Sequence, residues 1–295
     1  MASPGKTVAN KTSKQPAQVG LLPGLVILAL LLALYAFTAP VLSGWLKQLW
    51  SDPNNSHGLL VIPLSLFLIW RKRKVFRQIA KPAYQPALLI ILPGLALLPL
   101  ALAAEVAFLA QLSLLVVIGG LLLHIWGKAA FRLLLFPYLF LFFALPWPSL
   151  LVETLTFHLQ FVAAKSAALL TGLLGIPVVR EGVTIHMGGY TFAVEAPCSG
   201  MHYLAALLAL GALTAYLLQG KLFPRIALFI IVPVLAVIGN SLRIVVILSI
   251  ARGWGTEAAE GFYHGFSGLV VFVVTFVLLL AVGRIFGLSK MREDI

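Results

Sequence analysis

Residues 226–250 read IALFIIVPVLAVIGNSLRIVVILSI, and this run decides the fold. A hydrocarbon layer of about 30 Å is crossed by about 20 mostly apolar helical residues, and this run exceeds that length with one charge in it, Arg243. Comparable runs lie outward from it at 265–283 and 199–218, then at 133–147, 106–126, 86–104, 57–70 and 21–41. The chain is therefore expected to be an all-α integral membrane protein with about eight transmembrane helices. Composition excludes the soluble alternative: 61% of 295 residues are hydrophobic and 10% are charged, more apolar surface than a soluble core can hide.

The formal net charge of +12 does not point to nucleic acid, because the basic residues sit in short clusters between apolar runs and not along one polar face. Membrane topology explains the clusters. Lys6, Lys11 and Lys14, the run from Arg71 to Lys81, Lys128 with Arg132, Lys221 with Arg225, and the C-terminal Arg284, Lys290 and Arg292 fall on one side of an even number of spans. They make up sixteen of the twenty-one Lys and Arg residues, so the positive-inside rule assigns that side to the cytoplasm. The expected organisation is a cytoplasmic tail at 1–20, a polytopic domain at 21–283 in the cytoplasmic (inner) membrane, and a second cytoplasmic tail at 284–295. The first apolar run follows a polar start and shows no small-residue cleavage site, so it reads as a retained anchor.

Residues 148–198 form the longest segment outside the spans and are expected to be extracytoplasmic. Its first half, from Leu150, keeps Glu153, Thr156 and Gln160 near one helical face, with Lys165 beside them. That pattern suits a helix lying in the interface, with a ninth span as the alternative. Its second half, VVREGVTIHMGGYTFAVEAP from Val178, alternates about Gly188 and Gly189 and reads as a two-stranded hairpin. The hairpin delivers the chain to Cys198.

Cys198 is the only cysteine, which excludes an intramolecular disulfide and a multi-cysteine metal cluster. It precedes the sixth span on the outer side, where the unpaired amides and dipole of a helix start would favour the thiolate. A small buried packing residue is the plain alternative. Arg243, eighteen residues beyond Arg225, comes about 27 Å across the layer, at the outer interface. A charge inside a span is costly unless paired or hydrated, and a structural or snorkelling arginine is the alternative. Asn240, three residues earlier, shares its face and could orient the guanidinium.

His264 opens the eighth span on the same outer side. Cys198, Arg243 and His264 thus offer a nucleophile, a cation for a developing oxyanion, and a base that titrates near neutrality. His202, four residues after Cys198, is a rival base or a supporting group. Glu195, three residues before the cysteine, could position a base or be a solvated acid. His186 falls in the hairpin and His57 in the first outer loop, while His124 and His158 read as structural. No histidine spacing matches the two-histidine helix signature of zinc hydrolases, so no metal and no cofactor is called for.

With these residues in place, the chain resembles the exosortase/archaeosortase family of membrane-embedded cysteine transpeptidases over about residues 40–283. The resemblance rests on SHG at Ser56–Gly58, PCSG around Cys198, GNSLRI around Arg243, and the histidine at 264 beside a glycine-rich span start. It implies that Cys198, Arg243 and His264 are catalytic. It also implies substrates that are exported proteins ending in a short motif such as Pro-Glu-Pro, one transmembrane helix and a basic tail, processed at the outer membrane face through a thioester. An amine or hydroxyl acceptor would complete transpeptidation, and water would give proteolysis. The family often carries an arginine near the position of His202, where this chain reads CSGMH, which leaves subfamily and substrate motif open. A transporter or channel using Arg243 and the outer acids, or a non-catalytic exopolysaccharide assembly factor, are the readings from other classes.

Overall fold

The structure, a computed structural model, describes residues 38–292 apart from 53, 81 and 261. Nearly all of the span expected at 21–41 lies outside the described residues. Helix α1 occupies 38–51 and buries Trp45 and Leu49, the indole of Trp45 donating to Ala144 O at 2.6 Å. After a turn in which the Asp52 carboxylate accepts from Asn54 N and Asn55 Nδ2, α2 runs from Gly58–Arg71 and α3 from Arg73–Gln78. Gly58 is the close-approach point: a Cβ there would press on Leu49 and on the Ala144 backbone.

Helices α4, Leu88–Ala103, and α5, Ala107–Phe140, form an antiparallel pair. Buried Ser113 donates to Gly94 O at 2.8 Å between them. The α5 helix is broken at Gly127, whose φ of 71° and ψ of 175° are not helical. A side chain there would also collide with Pro82 O, so only glycine fits the break. The two apolar runs expected at 106–126 and 133–147 correspond to the arms on either side of it. A 3₁₀ turn, Leu141–Ala144, ends the second arm.

Helix α6 spans Ser149–Leu173, and three strands follow: β1, Val179–Glu181; β2, Thr184–Met187; and β3, Tyr190–Ala193. They form an antiparallel meander in the order β1-β2-β3. The β2–β3 hairpin turns at Gly188 and Gly189, with Met187 opposite Tyr190. The expected hairpin had two strands, and the structure corrects it to three. Gly182 reverses the chain a second time, so Glu181 pairs with Thr184. Ala163, Ala164 and Ala167 of α6 pack with Ile185 and Val194 into one apolar core, which also takes in Cys198 and Ile244, Val245, Ile247 and Leu248 of a later helix. Small side chains on α6 let the sheet and the helix carrying Arg243 approach closely. That helix is α9, Val232–Trp254.

The other membrane-type helices are α7, Met201–Leu217; α8, Leu222–Ile230, which runs on into α9 through Ile231, itself in the right-handed helical region; and α11, Phe262–Ile285, preceded by the short α10, Thr256–Glu260. Five helical segments among the described residues are long and apolar enough to cross a membrane: 85–103, 107–144, 196–217, 222–254 and 266–285. Gly58–Arg71 is apolar but shorter. The chain past α11 returns to the end of α7, where Leu218 bridges Met291 and Arg292 N donates to Leu217 O at 2.8 Å.

Candidate active site

The Cys198 segment is built by local turns. Ala196–Cys198 form a 3₁₀ turn, in which Cys198 N donates to Glu195 O at 2.9 Å. Ser199 Oγ donates to Ala196 O at 2.7 Å and accepts from Met201 N at 3.2 Å. Gly200 then takes φ 84° and ψ 8°, in the left-handed region, before α7 starts at Met201. The thiol-bearing residue therefore does not sit at the helix start, as the sequence suggested. A separate turn carries it, and the serine hydroxyl already occupies the Met201 amide that a helix-start argument would leave open.

What fixes this turn is α9. Asn240 Nδ2 donates to Cys198 O at 2.9 Å, forty-two residues away in sequence. A Cβ on Gly200 would come within 2.9 Å of the Asn240 Cγ, so the left-handed glycine makes room for the carboxamide as well as turning the chain. Asn240 thus reaches from the arginine helix to the cysteine turn. The hairpin is tied down from the other side, since Gln160 of α6 donates to Val194 O at 2.9 Å. Glu195 is exposed, and its backbone carbonyl accepts from Cys198 N.

Arg243 is 3% exposed and Cys198 is 5% exposed. One helical turn beyond Asn240, Arg243 Nε donates to Ser267 Oγ of α11 at 3.2 Å, and its guanidinium carbon stands 5.6 Å from the centre of the Tyr203 ring. Its charge is felt at both Cys198 and His202. A buried cation in an apolar helix is costly alone, and the hydroxyl and the aromatic face are the polar surroundings such a charge requires. Gly268, next to Ser267, has no side chain where Tyr203 lies, which lets the ring wedge between α7 and α11.

Cys198, Asn240 and Arg243 are therefore brought together, and half-buried His202 lies in the first turn of α7 with its ring against Tyr203 at 3.9 Å. With Gly200 interposed in the left-handed region, His202 does not lie one turn along a helix shared with Cys198. His264 is in the first turn of α11, three residues before Ser267, and its side chain lies outside the described residues. The remaining four histidines are elsewhere: His57 immediately precedes α2, His186 contacts Thr191 and Glu181 in the sheet, His124 meets Tyr84 O, and His158 bonds within α6. Among the described residues no three His, Cys, Asp or Glu side chains are grouped to hold a metal. Ser267 and Tyr203 escaped the sequence reading, and the available signal was the need of Arg243 for partners on facing helices.

This geometry brings the PCSG and GNSLRI stretches together, and both lie within the part of the chain that matches a known family. Residues 49–281 match the transmembrane exosortases. The chain belongs to that family. No curated protein and no solved structure matches it. An exosortase-type function at a membrane follows, together with the multi-pass helical character seen in the fold.

Proposed function

We propose that this exosortase is a cysteine transpeptidase or protease of the cytoplasmic membrane. In this reading it has eight crossings, both termini in the cytoplasm and its site at the outer face. The single observation that carries the chemistry is the cysteine turn held by Asn240 to the same helix that buries Arg243 one turn away. The Cys198 thiolate attacks a peptide carbonyl. Its S–C bond forms as the carbonyl π pair moves onto oxygen, and Arg243 stabilises that oxyanion. Collapse breaks the C–N bond, a proton passes to the leaving amine, and a thioester remains.

His264 supplies and takes that proton, with His202 as the rival for the role. An amine or hydroxyl acceptor, or water, then attacks the thioester and regenerates the thiol. The substrates are exported proteins with a short C-terminal motif, a transmembrane helix and a basic tail. Such a helix enters the bilayer with its tail on the cytoplasmic side by the same charge rule, which leaves the scissile bond near the outer face.

The eight crossings count 107–144 as two, divided at Gly127, and add Gly58–Arg71 and the anchor at 21–41. The test is co-expression with a membrane protein carrying a Pro-Glu-Pro motif, an apolar helix and a basic tail. A shortened product should form with the native enzyme and be absent with Cys198→Ala inserted at equal level. Shortening by the alanine variant would exclude covalent catalysis at this residue.

A further inference from the structure

At the opposite end of α7 from Cys198 lies a second constructed site. The 17 residues of this helix rise about 25 Å, so it is remote from the cysteine turn and its argument does not depend on the chemistry there. A cleft of about 360 Å³ opens between the second arm of α5, the end of α7, and α8. Its walls are apolar, with Leu139, Phe143, Ala212 and Phe229 among them, and Arg225 and Tyr216 also line it.

Cations converge on Tyr216. Lys72 Nζ stands 5.5 Å and the Arg292 guanidinium carbon 5.3 Å from the centre of its ring. Arg225 reaches the carbonyls of Ala215 and Tyr216, and Lys72 reaches Leu133 O at 3.1 Å. Phe136 stacks flat on the tyrosine at 3.6 Å. The Tyr216 side chain is 7% exposed, and its buried hydroxyl has no hydrogen-bond partner among the described residues. The six carboxylates with described side chains, Asp52, Glu105, Glu153, Glu181, Glu195 and Glu257, all belong to the loops and elements at the other ends of the spans. Arg225 in the cleft wall, with Lys72 and Arg292 over the ring of Tyr216 beside it, makes a concentration of positive charge that an apolar cleft alone does not require.

We propose that this cleft holds one anionic phospholipid, its phosphate beside Lys72, Arg225, Arg292 and the Tyr216 hydroxyl, and an acyl chain between α5 and α8. Basic pockets between membrane helices suit anionic headgroups, and each nearby cation strengthens the attraction. The charge selects this occupant over a second transmembrane helix with a basic tail, which three cations would repel.

The experiment uses the full chain in detergent, mixed with phosphatidylglycerol or phosphatidylcholine of identical acyl chains, and reads lipid retention by native mass spectrometry. Phosphatidylglycerol should be retained at least tenfold better. Arg292→Gln should lower that preference about fivefold, and Arg225→Gln should do the same where it folds. Ala212→Trp should reduce retention of both lipids by filling the cleft. Inorganic phosphate at equal concentration should not displace the bound lipid. Equal retention of the two lipids, an unchanged preference in Arg292→Gln, or displacement by phosphate or by a basic-tailed helical peptide would overturn the proposal.

Discussion

Gly200→Ala should disable the cysteine turn while leaving every proposed catalytic group in the sequence. At φ 84° the alanine enters the left-handed region, which costs about 1–2 kcal/mol. Its Cβ would also stand 2.9 Å from the Asn240 Cγ and 3.1 Å from the Asn240 Cβ. Those atoms are near the α9 backbone and cannot swing away, so the Asn240 bond to Cys198 O is lost. An abandoned buried carbonyl costs about 1–3 kcal/mol, which brings the whole effect to about 2–5 kcal/mol. The assay is a double-mutant cycle with Asn240→Ala, read as thermal unfolding in detergent and as the rate of Cys198 alkylation. Asn240→Ala alone should cost about 1–3 kcal/mol. In that background Gly200→Ala should retain only its backbone penalty, giving a coupling of about 1–3 kcal/mol, the carbonyl cost that both substitutions share. Strict additivity of the two substitutions, or an alanine at 200 with native stability and alkylation rate, would show that Gly200 does not make room for the Asn240 bond to Cys198 O.

Arg243→Lys should reduce processing by about a hundredfold or more, because lysine keeps the charge but loses the fork that can hold Ser267 and a substrate oxyanion together. Processing kinetics of membranes with matched expression measure this. Ser267→Ala should be milder, within about tenfold, because it removes one of the arginine's contacts and leaves the cation. A reporter fused after Lys74 or Lys221 should be cytoplasmic, and one inserted at Gly188 should be extracytoplasmic, as protease access on intact spheroplasts would record. His264→Ala should slow acyl-enzyme formation by about a hundredfold and His202→Gln much less. The reverse order would transfer the base to His202.

Much of this architecture was legible because its signals are local. The gap between the runs at 106–126 and 133–147 coincides with Gly127, and the Gly188–Gly189 pair marks the hairpin turn that forms. The first strand, Val179–Glu181, was missed because a three-residue strand shows too little alternation to stand out. At the candidate site, Cys198 and Arg243 stand out in the sequence by their chemistry, as a lone thiol and a charge in an apolar run. Their connection does not. Asn240 shares a helix with Arg243, so local periodicity suggested service to the guanidinium, whereas packing of α9 against the cysteine turn sends its amide to Cys198 O. The left-handed Gly200 likewise separates Cys198 from α7, although the apolar run continues through it and reads as one helix. Ser267 and Tyr203 acquire meaning only once α7, α9 and α11 pack together.

A covalent bond between substrate and Cys198 can be captured as the intermediate itself. Full-length enzyme in detergent would be mixed with a substrate carrying the short motif and transmembrane helix, quenched in acid and analysed by peptide mass spectrometry. An acyl group should be found on the peptide containing Cys198, be released by neutral hydroxylamine as a thioester requires, accumulate more slowly in Arg243→Lys, and be absent in Cys198→Ala. Substrate cleaved at an undiminished rate by Cys198→Ala, with no hydroxylamine-sensitive adduct in the native enzyme, would contradict a covalent intermediate at Cys198.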